Sequence, residues 1–153
     1  MRVYRIAAES VAKTANDAFS GNGGLHGMGR WHTTGRRVVY CASHLSLAAL
    51  EALVHIQRAN RIQPYVHYEA DIPDGLSMDA AGLPVDWKTN ILFTQTYGDQ
   101  WLKSKATVLL RVPSVIVDSE FNFLLNPEHQ DFNLAWIVRG PIPFAFDPRL
   151  TKP

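Results

Sequence analysis

The sequence predicts a single globular domain of the α+β class, and three observations support that reading. Segments with strand character stand early and late in the chain, with few helical stretches between them, unlike the regular alternation of a parallel α/β repeat. The 153 residues suit one domain and leave little room for a second, so residues 1–153 are read as a single unit. The composition, 46% hydrophobic and 19% charged, is that of a globular chain. A domain of this size buries roughly 70% of the surface its unfolded chain exposes, enough for a genuine core.

The elements follow in order. Val3–Ile6 is a short apolar strand candidate, and Ala12–Phe19 reads as a helix. Gly21–Gly29 is a glycine-rich loop. Arg37–Ala42 combines β-branched and aromatic residues and predicts a strand. Ser43 is placed to cap a helix running from His44 to Asn60, a stretch of strong helix formers without proline. Tyr65–Ile72 alternates like a half-buried strand that Pro73–Gly75 ends. Thr94–Lys105 reads as a second long helix. Thr107–Val112 and Val115–Val117 are strands split by Pro113, and Ala135–Val138 and Phe144–Phe146 close the sheet.

Charge and composition exclude several functions. The net charge is +1 with histidine neutral, and the basic residues are scattered, so no basic field holds a nucleic-acid backbone. Cys41 is the single cysteine, which excludes an intrachain disulfide and a multi-cysteine metal site. The six histidines make no HExxH or other zinc spacing, so no metal is expected. The amino-terminal residues lack the apolar core of a signal peptide, and no apolar run is long enough to span a bilayer. A cytoplasmic protein without membrane attachment is the expectation.

The segment Gly21–Trp31 is the most unusual in the chain. Five glycines precede Arg30, and such a loop lets backbone approach a ligand closely. The planar fork of Arg30 suits a phosphate or carboxylate. The alternative is a surface loop beside an ordinary salt-bridged arginine. The segment is neither a P-loop nor a dinucleotide fingerprint, since no Gly-Lys-Ser/Thr ends it and no strand–GxGxxG–helix pattern surrounds it. His26 and His32 flank Arg30, either lining the same cleft or facing water.

Tyr40 ends the strand that follows. Its ring either packs in the core or stacks on a planar cation, an attraction worth about 0.5–2 kcal/mol. Glu51 sits in an otherwise apolar helix, where a buried carboxylate is costly unless paired. It also shares a helical stripe with His44, His55 and Arg58 that would simply face water. Ser114 either donates to a ligand or bonds its own backbone at the proline break. No Gly-x-Ser-x-Gly elbow surrounds it, which disfavours a serine hydrolase. Asn126-Pro127 marks a turn.

Taken together the segments resemble the RES domain family, named for its Arg, Glu and Ser. The likeness runs from Val3-Tyr-Arg-Ile6 through Gly29-Arg-Trp31, Val38-Val-Tyr-Cys-Ala-Ser43 and Leu47-Ala-Ala-Leu-Glu-Ala-Leu-Val-His55. It continues in Gly98-Asp-Gln-Trp101, Val112-Pro-Ser114, Leu125-Asn-Pro-Glu-His129 and Phe146-Asp-Pro-Arg-Leu150. The name-giving residues then fall on Arg30, Glu51 and Ser114. His32 departs from the Asn or Ser that commonly follows the tryptophan.

The resemblance implies an ADP-ribosyltransferase-like mixed β-sheet core with flanking helices, and NAD⁺ as substrate with no further cofactor. It implies a toxin that cleaves the nicotinamide–ribose bond, as a glycohydrolase or phosphorylase, or that transfers ADP-ribose to a protein. A non-catalytic nucleotide-binding module is the alternative from another class. The implied partner is an antitoxin carrying a repressor-like helix-turn-helix, with a toxin homodimer inside the larger complex left open. The Tyr40–Glu51 interval resembles the paired-tyrosine spacing of diphtheria-toxin-like transferases, with Glu in the second place. Ala49 stands where a Glu-x-Glu pair would need its first Glu, which disfavours arginine as acceptor. Arg30, Tyr40 and Glu51 are the expected catalytic residues. Trp31, Ser114, Gly29, His26 and Asn126 complete the expected substrate-binding set.

Overall fold

Strand β1 (Arg2–Ala8) alternates across two environments. Val3, Arg5 and Ala7 lie opposite Ala70, Tyr68 and Val66 of β3 (Tyr65–Asp71). Tyr4 and Ile6 point to the other face, because successive side chains of a strand alternate. The computed structural model that gives this pairing describes residues 1–59 and 63–150. The remaining strands are β2 (Val39–Ala42), β4 (Ser77–Asp79), β5 (Leu109–Pro113), β6 (Phe121–Leu125) and β7 (Ile137–Phe144). Together they form one seven-stranded sheet of order β4-β5-β6-β2-β1-β3-β7. The β4–β5 pair is parallel and the other pairs are antiparallel. The α+β class is what the residues predict, and the mixed sheet is what the family resemblance implies.

Each face of the sheet has its own cover. On one, Val3, Val39, Cys41, Val66, Tyr68, Leu109, Phe123 and Leu125 pack with Ala12, Ala18 and Phe19. That cover includes the single-turn helix α1 (Ala15–Ala18), whose Thr14 and Asp17 form a capping box. The Tyr68 hydroxyl donates to Ala12 O at 2.7 Å and ties the cover down. On the other face, Leu47 and Ala48 of helix α3 (Leu45–Ala59) pack over Tyr4, Ile6 and Ala42. Beside it, Trp31 and residues Trp101 and Leu102 of helix α4 (Ile91–Ser104) cover Leu110, Val112 and Leu124. Both clusters reach β2, since Ala42 belongs to the first and Tyr40 packs against the second.

Several local expectations are corrected. The Ala12–Phe19 helix shrinks to one turn, and the Gly21–Gly29 loop contains a turn of helix, α2 (Gly23–His26). Ser43 does not cap α3. Its N–H extends the β2–β6 ladder to Phe121 O, and the carbonyl of His44 accepts the first helical bond, from Ala48. The helix end at Asn60 and the Arg58 side chain lie outside the described residues. Helix α4 starts at Ile91, three residues before the predicted start, because Asn90 caps it by accepting from Phe93 N at 3.1 Å.

Val115–Val117 is a bend, not a strand. Ser114 Oγ accepts from Ile116 N and Val117 N at 3.0 and 3.1 Å, turning the chain so that β6 returns antiparallel to β5. Strands β4 and β6 were not predicted. Strand β7 bridges the two short segments expected near the carboxyl end, and its start is later, since Leu134–Trp136 form a 3-10 turn. Its prolines, Pro141 and Pro143, are tolerated because β7 is an edge strand that need not donate along its whole length. No described helix is long and apolar enough to cross a membrane.

Helix α4 meets the rest of the chain at Gly98. A Cβ there would stand 1.8 Å from the carbonyl oxygen of Trp31. Gly98→Ala should therefore lower stability by about 1–3 kcal/mol, the cost of overpacking a close contact. A urea midpoint shifted well below that of the wild-type protein is the expected reading.

Candidate active site

Residues 29–32 cross under helix α4, and one face of the helix holds them. Gln95 Nε2 donates to Gly29 O at 2.9 Å, and the Thr94 hydroxyl donates to Arg30 O at 2.7 Å. With Gly98 against the Trp31 carbonyl, residues 94, 95 and 98 clamp three consecutive peptide units. The Arg30 side chain is half-buried and donates through one terminal nitrogen to Lys88 O at 2.7 Å. That bond orients the guanidinium and leaves its other donors for a ligand.

The loop is also fixed from below by the Tyr40 hydroxyl. It stands 3.2 Å from Trp31 N and 2.8 Å from His32 Nδ1. His32 Nε2 lies 2.9 Å from Gly27 O, which can only accept, so Nε2 carries the proton. Nδ1 is then an acceptor, the Tyr40 hydroxyl donates to it, and Trp31 N–H donates to the hydroxyl. Burial holds the His32 pKa below its ordinary 6.5, against the opposing effects of the Gly27 carbonyl and Asp99, and so favours this neutral form. Burial likewise pushes the Tyr40 hydroxyl above its ordinary range, which keeps it protonated to donate. Gly29 is required here because an added Cβ would lie 2.6 Å from the Tyr40 oxygen. With the hydroxyl enclosed, what the half-buried Tyr40 offers a ligand is its ring.

Glu51 reaches the same sheet face from α3. Its Oε1 accepts from Asn122 Nδ2 at 2.6 Å and, more weakly, from the Ser114 hydroxyl at 3.4 Å. Asn122 pairs with Ala42 on β2 and Val112 on β5, two residues along from the Tyr40–Leu124 pair, so Asn122 and Tyr40 share a face. Glu51 and Arg30 both act electrostatically on the Tyr40 hydroxyl, with opposite signs. The helical stripe therefore divides: His44 and His55 are exposed, and Glu51 turns to the sheet.

The structure brings Glu51 and Ser114 into contact and gathers Tyr40, Gly29, Trp31 and His32 into one hydrogen-bonded group. The other expected site residues sit differently. The Trp31 ring is 3% exposed, packed 5.9 Å from Trp87 and 6.2 Å from Tyr97, so its contribution is the backbone N–H. Ser114 is fully buried and its hydroxyl serves the turn and Glu51. Asn126 is buried too, donating to Leu102 O and accepting from Glu128 N, which makes it a clamp on the end of α4. His26 is exposed at the end of α2. Cys41 faces the opposite side of the sheet, where burial pushes its thiol up to about 12, so it is no nucleophile.

Asn122 was missed as a site residue. Its only signal in the sequence is an amide inside the apolar run Phe121–Leu125, and the fold then sets it between Ala42 and Val112, both apolar.

Comparison with known proteins gives one consistent result. The RES domain profile matches residues 2–147. "Toxin Res" of Yersinia enterocolitica is 36% identical over 156 aligned positions, which cover 98% of this chain and 99% of that protein. The "Prs ADP-ribosylating toxin" of a Sphingobium species is 35% identical, covering 97% and 96%. Among solved structures, the crystal structure of the Mycobacterium tuberculosis MbcT–MbcA toxin–antitoxin complex matches with a TM-score of 0.74. The match covers 98% of this chain and 86% of that one, at 18% identity. At that identity the likeness is one of fold.

Two outcomes follow from the Tyr40 group. Tyr40→Phe removes one hydroxyl and strips Trp31 N–H and His32 Nδ1 of their partner, so a loss of about 1–3 kcal/mol is expected in denaturant unfolding. Because the native His32 pKa lies below its unfolded value, the unfolded chain takes up a proton that the native state refuses. Stability from this group is complete above pH 6.5 and falls as the pH drops from there through the lowered native value. His32→Asn should show a smaller loss of stability between pH 7.5 and pH 5 than the wild-type protein, measured by paired denaturant curves.

Proposed function

The chain belongs to the RES domain family, and from that premise we propose that it is the toxin of a toxin–antitoxin pair and cleaves the nicotinamide–ribose bond of NAD⁺. The observation that carries this reading is the tethered carboxylate of Glu51 on the sheet face that also presents the Tyr40 ring. Breaking the bond sends its electron pair to the pyridine nitrogen and releases neutral nicotinamide. Positive charge is left on the ribose, and a nearby carboxylate stabilises that charge. A water oxygen then bonds to the ribose carbon and gives its proton to solvent, or an anionic phosphate oxygen bonds there directly.

In this reading Arg30 takes the pyrophosphate, aided by the close backbone approach at Gly29, and His26 lies at the loop's outer edge. The Tyr40 ring stacks on the cationic pyridinium, where cation–π attraction favours the substrate over the neutral product. Glu51 binds ribose hydroxyls through its remaining oxygen. Ser114 acts through Glu51 and the turn it builds. NAD⁺ is the substrate and no separate cofactor or metal is invoked. The partner we propose is an antitoxin with a repressor-like helix-turn-helix. The protein would act in the cytoplasm, where its substrate is held.

The name of the Sphingobium relative favours a second reading, transfer of ADP-ribose to a protein. The same bond breaks in both, and the acceptor differs. Label from NAD⁺ recovered on a protein, with little free ADP-ribose, would select transfer.

The decisive measurement is nicotinamide release by the purified protein. Glu51→Gln should lower its rate by about 10²–10³-fold, the range for removing one preorganised electrostatic group. Arg30→Ala should chiefly raise KM for NAD⁺. Wild-type rates in Glu51→Gln would remove the carboxylate from the reaction.

A further inference from the structure

We infer that Asn122 is a positioning residue of the reaction centre, setting which oxygen of Glu51 faces the substrate. The inference rests on the NAD⁺-cleavage reading above and names a residue outside the set expected from the sequence.

Asn122 stands on β6 between Ala42 and Val112, both buried and apolar. An aliphatic side chain would satisfy that place in the sheet without any polar demand. The amide is instead half satisfied. Nδ2 donates to Glu51 Oε1 at 2.6 Å, whereas Oδ1 is buried with no hydrogen-bond partner. An acceptor buried without a donor is costly, so the favourable function of this amide is its donor. Glu51 Oε1 also receives the Ser114 hydroxyl at 3.4 Å. Ser114 itself is anchored by Ile116 N and Val117 N and by its own N–H to Glu120 O. Two side chains from separate strand ends therefore hold one carboxylate oxygen.

Among the described residues Oε2 has no hydrogen bond and is not among the buried unpartnered atoms. It is open to a ligand. A glutamate on a helix has three side-chain torsions through which that oxygen could wander, and a short bond to a strand residue restricts them. Precise placement of the reacting group is what such a bond supplies.

The ionisable group touching Asn122 is Glu51. Glu120, two residues earlier, turns its carboxylate toward His44 at 3.8 Å. The protonated Tyr40 hydroxyl stands on the same sheet face, and Arg30 and Asp99 are the other charged groups that act on it.

The test compares wild type, Asn122→Leu and Asn122→Asp in nicotinamide release from NAD⁺, each after a thermal melt confirms folding. Asn122→Leu should lower kcat by about 100-fold, the scale of a small misplacement of a reacting group, with KM for NAD⁺ nearly unchanged. Asn122→Asp sets two carboxyl groups together. It should be as slow at pH 8 and recover at least partly toward pH 5.5, where one shared proton restores a donor to Glu51. That acid recovery is the signature a merely structural role would not give, and it keeps the inference testable if the leucine variant fails to fold. Wild-type kcat in either folded variant, or no acid recovery in Asn122→Asp, overturns the positioning role while leaving NAD⁺ cleavage standing. No nicotinamide release from wild type itself overturns the cleavage reading, and this inference with it.

Discussion

The site depends on the way a single buried hydroxyl is shared. Tyr40 O–H donates to His32 Nδ1 and accepts from Trp31 N–H, and its oxygen lies where Gly29 has no side chain. Three residues of an irregular loop are thereby locked to a central strand. A loop of this kind would otherwise be the least certain part of the fold, since its backbone groups have no ladder to join. Helix α4 supplies the opposing clamp through Thr94, Gln95 and the bare face of Gly98. Arg30, between these two constraints, inherits a defined position without spending its own donors on more than one carbonyl.

The second organising feature is the separation of the two sheet faces. One is an apolar interface in which Cys41, Tyr68 and the strand valines and leucines are sealed beneath the amino-terminal cover. The other is covered by two clusters that both reach β2, and Tyr40 and Asn122 stand on that face. Polar groups in an otherwise apolar sheet are tolerated where they satisfy one another. Here the carboxylate of Glu51 is satisfied by an amide and a hydroxyl, not by a cation. In the reaction proposed above, an arginine or lysine partner would neutralise the charge that a developing ribose cation requires, whereas neutral donors orient it without cancelling it.

Ser114 shows how one residue serves turn and site together. At the end of β5 its hydroxyl gathers two backbone N–H groups, reverses the chain and delivers β6 antiparallel beside β2. The same hydroxyl leans on Glu51. The turn that creates the strand carrying Asn122 thus also holds the carboxylate that Asn122 orients.

Residue type, local period and ordered motifs are properties of the chain, and they carry the α+β class, the long helices and the central strand at Val39–Ala42 and mark Arg30, Tyr40, Glu51 and Ser114 as candidates. They were also enough to show that Glu51 posed a choice between water and a partner. Packing settled that choice, since Asn122 is 71 positions away from Glu51 and their contact exists once β6 pairs with β2, over which α3 packs. The same holds for Trp31, an aromatic beside Arg30 in sequence but a core residue in space, because α4 and Trp87 close over its ring. Strand β6 has no period-2 signature of its own, since Phe121–Leu125 is apolar but for Asn122, and pairing with β2 and β5 on either side makes it a strand. Hydrogen bonds between distant strands and the burial they create carry no local period, and so the arrangement of the site was settled by packing.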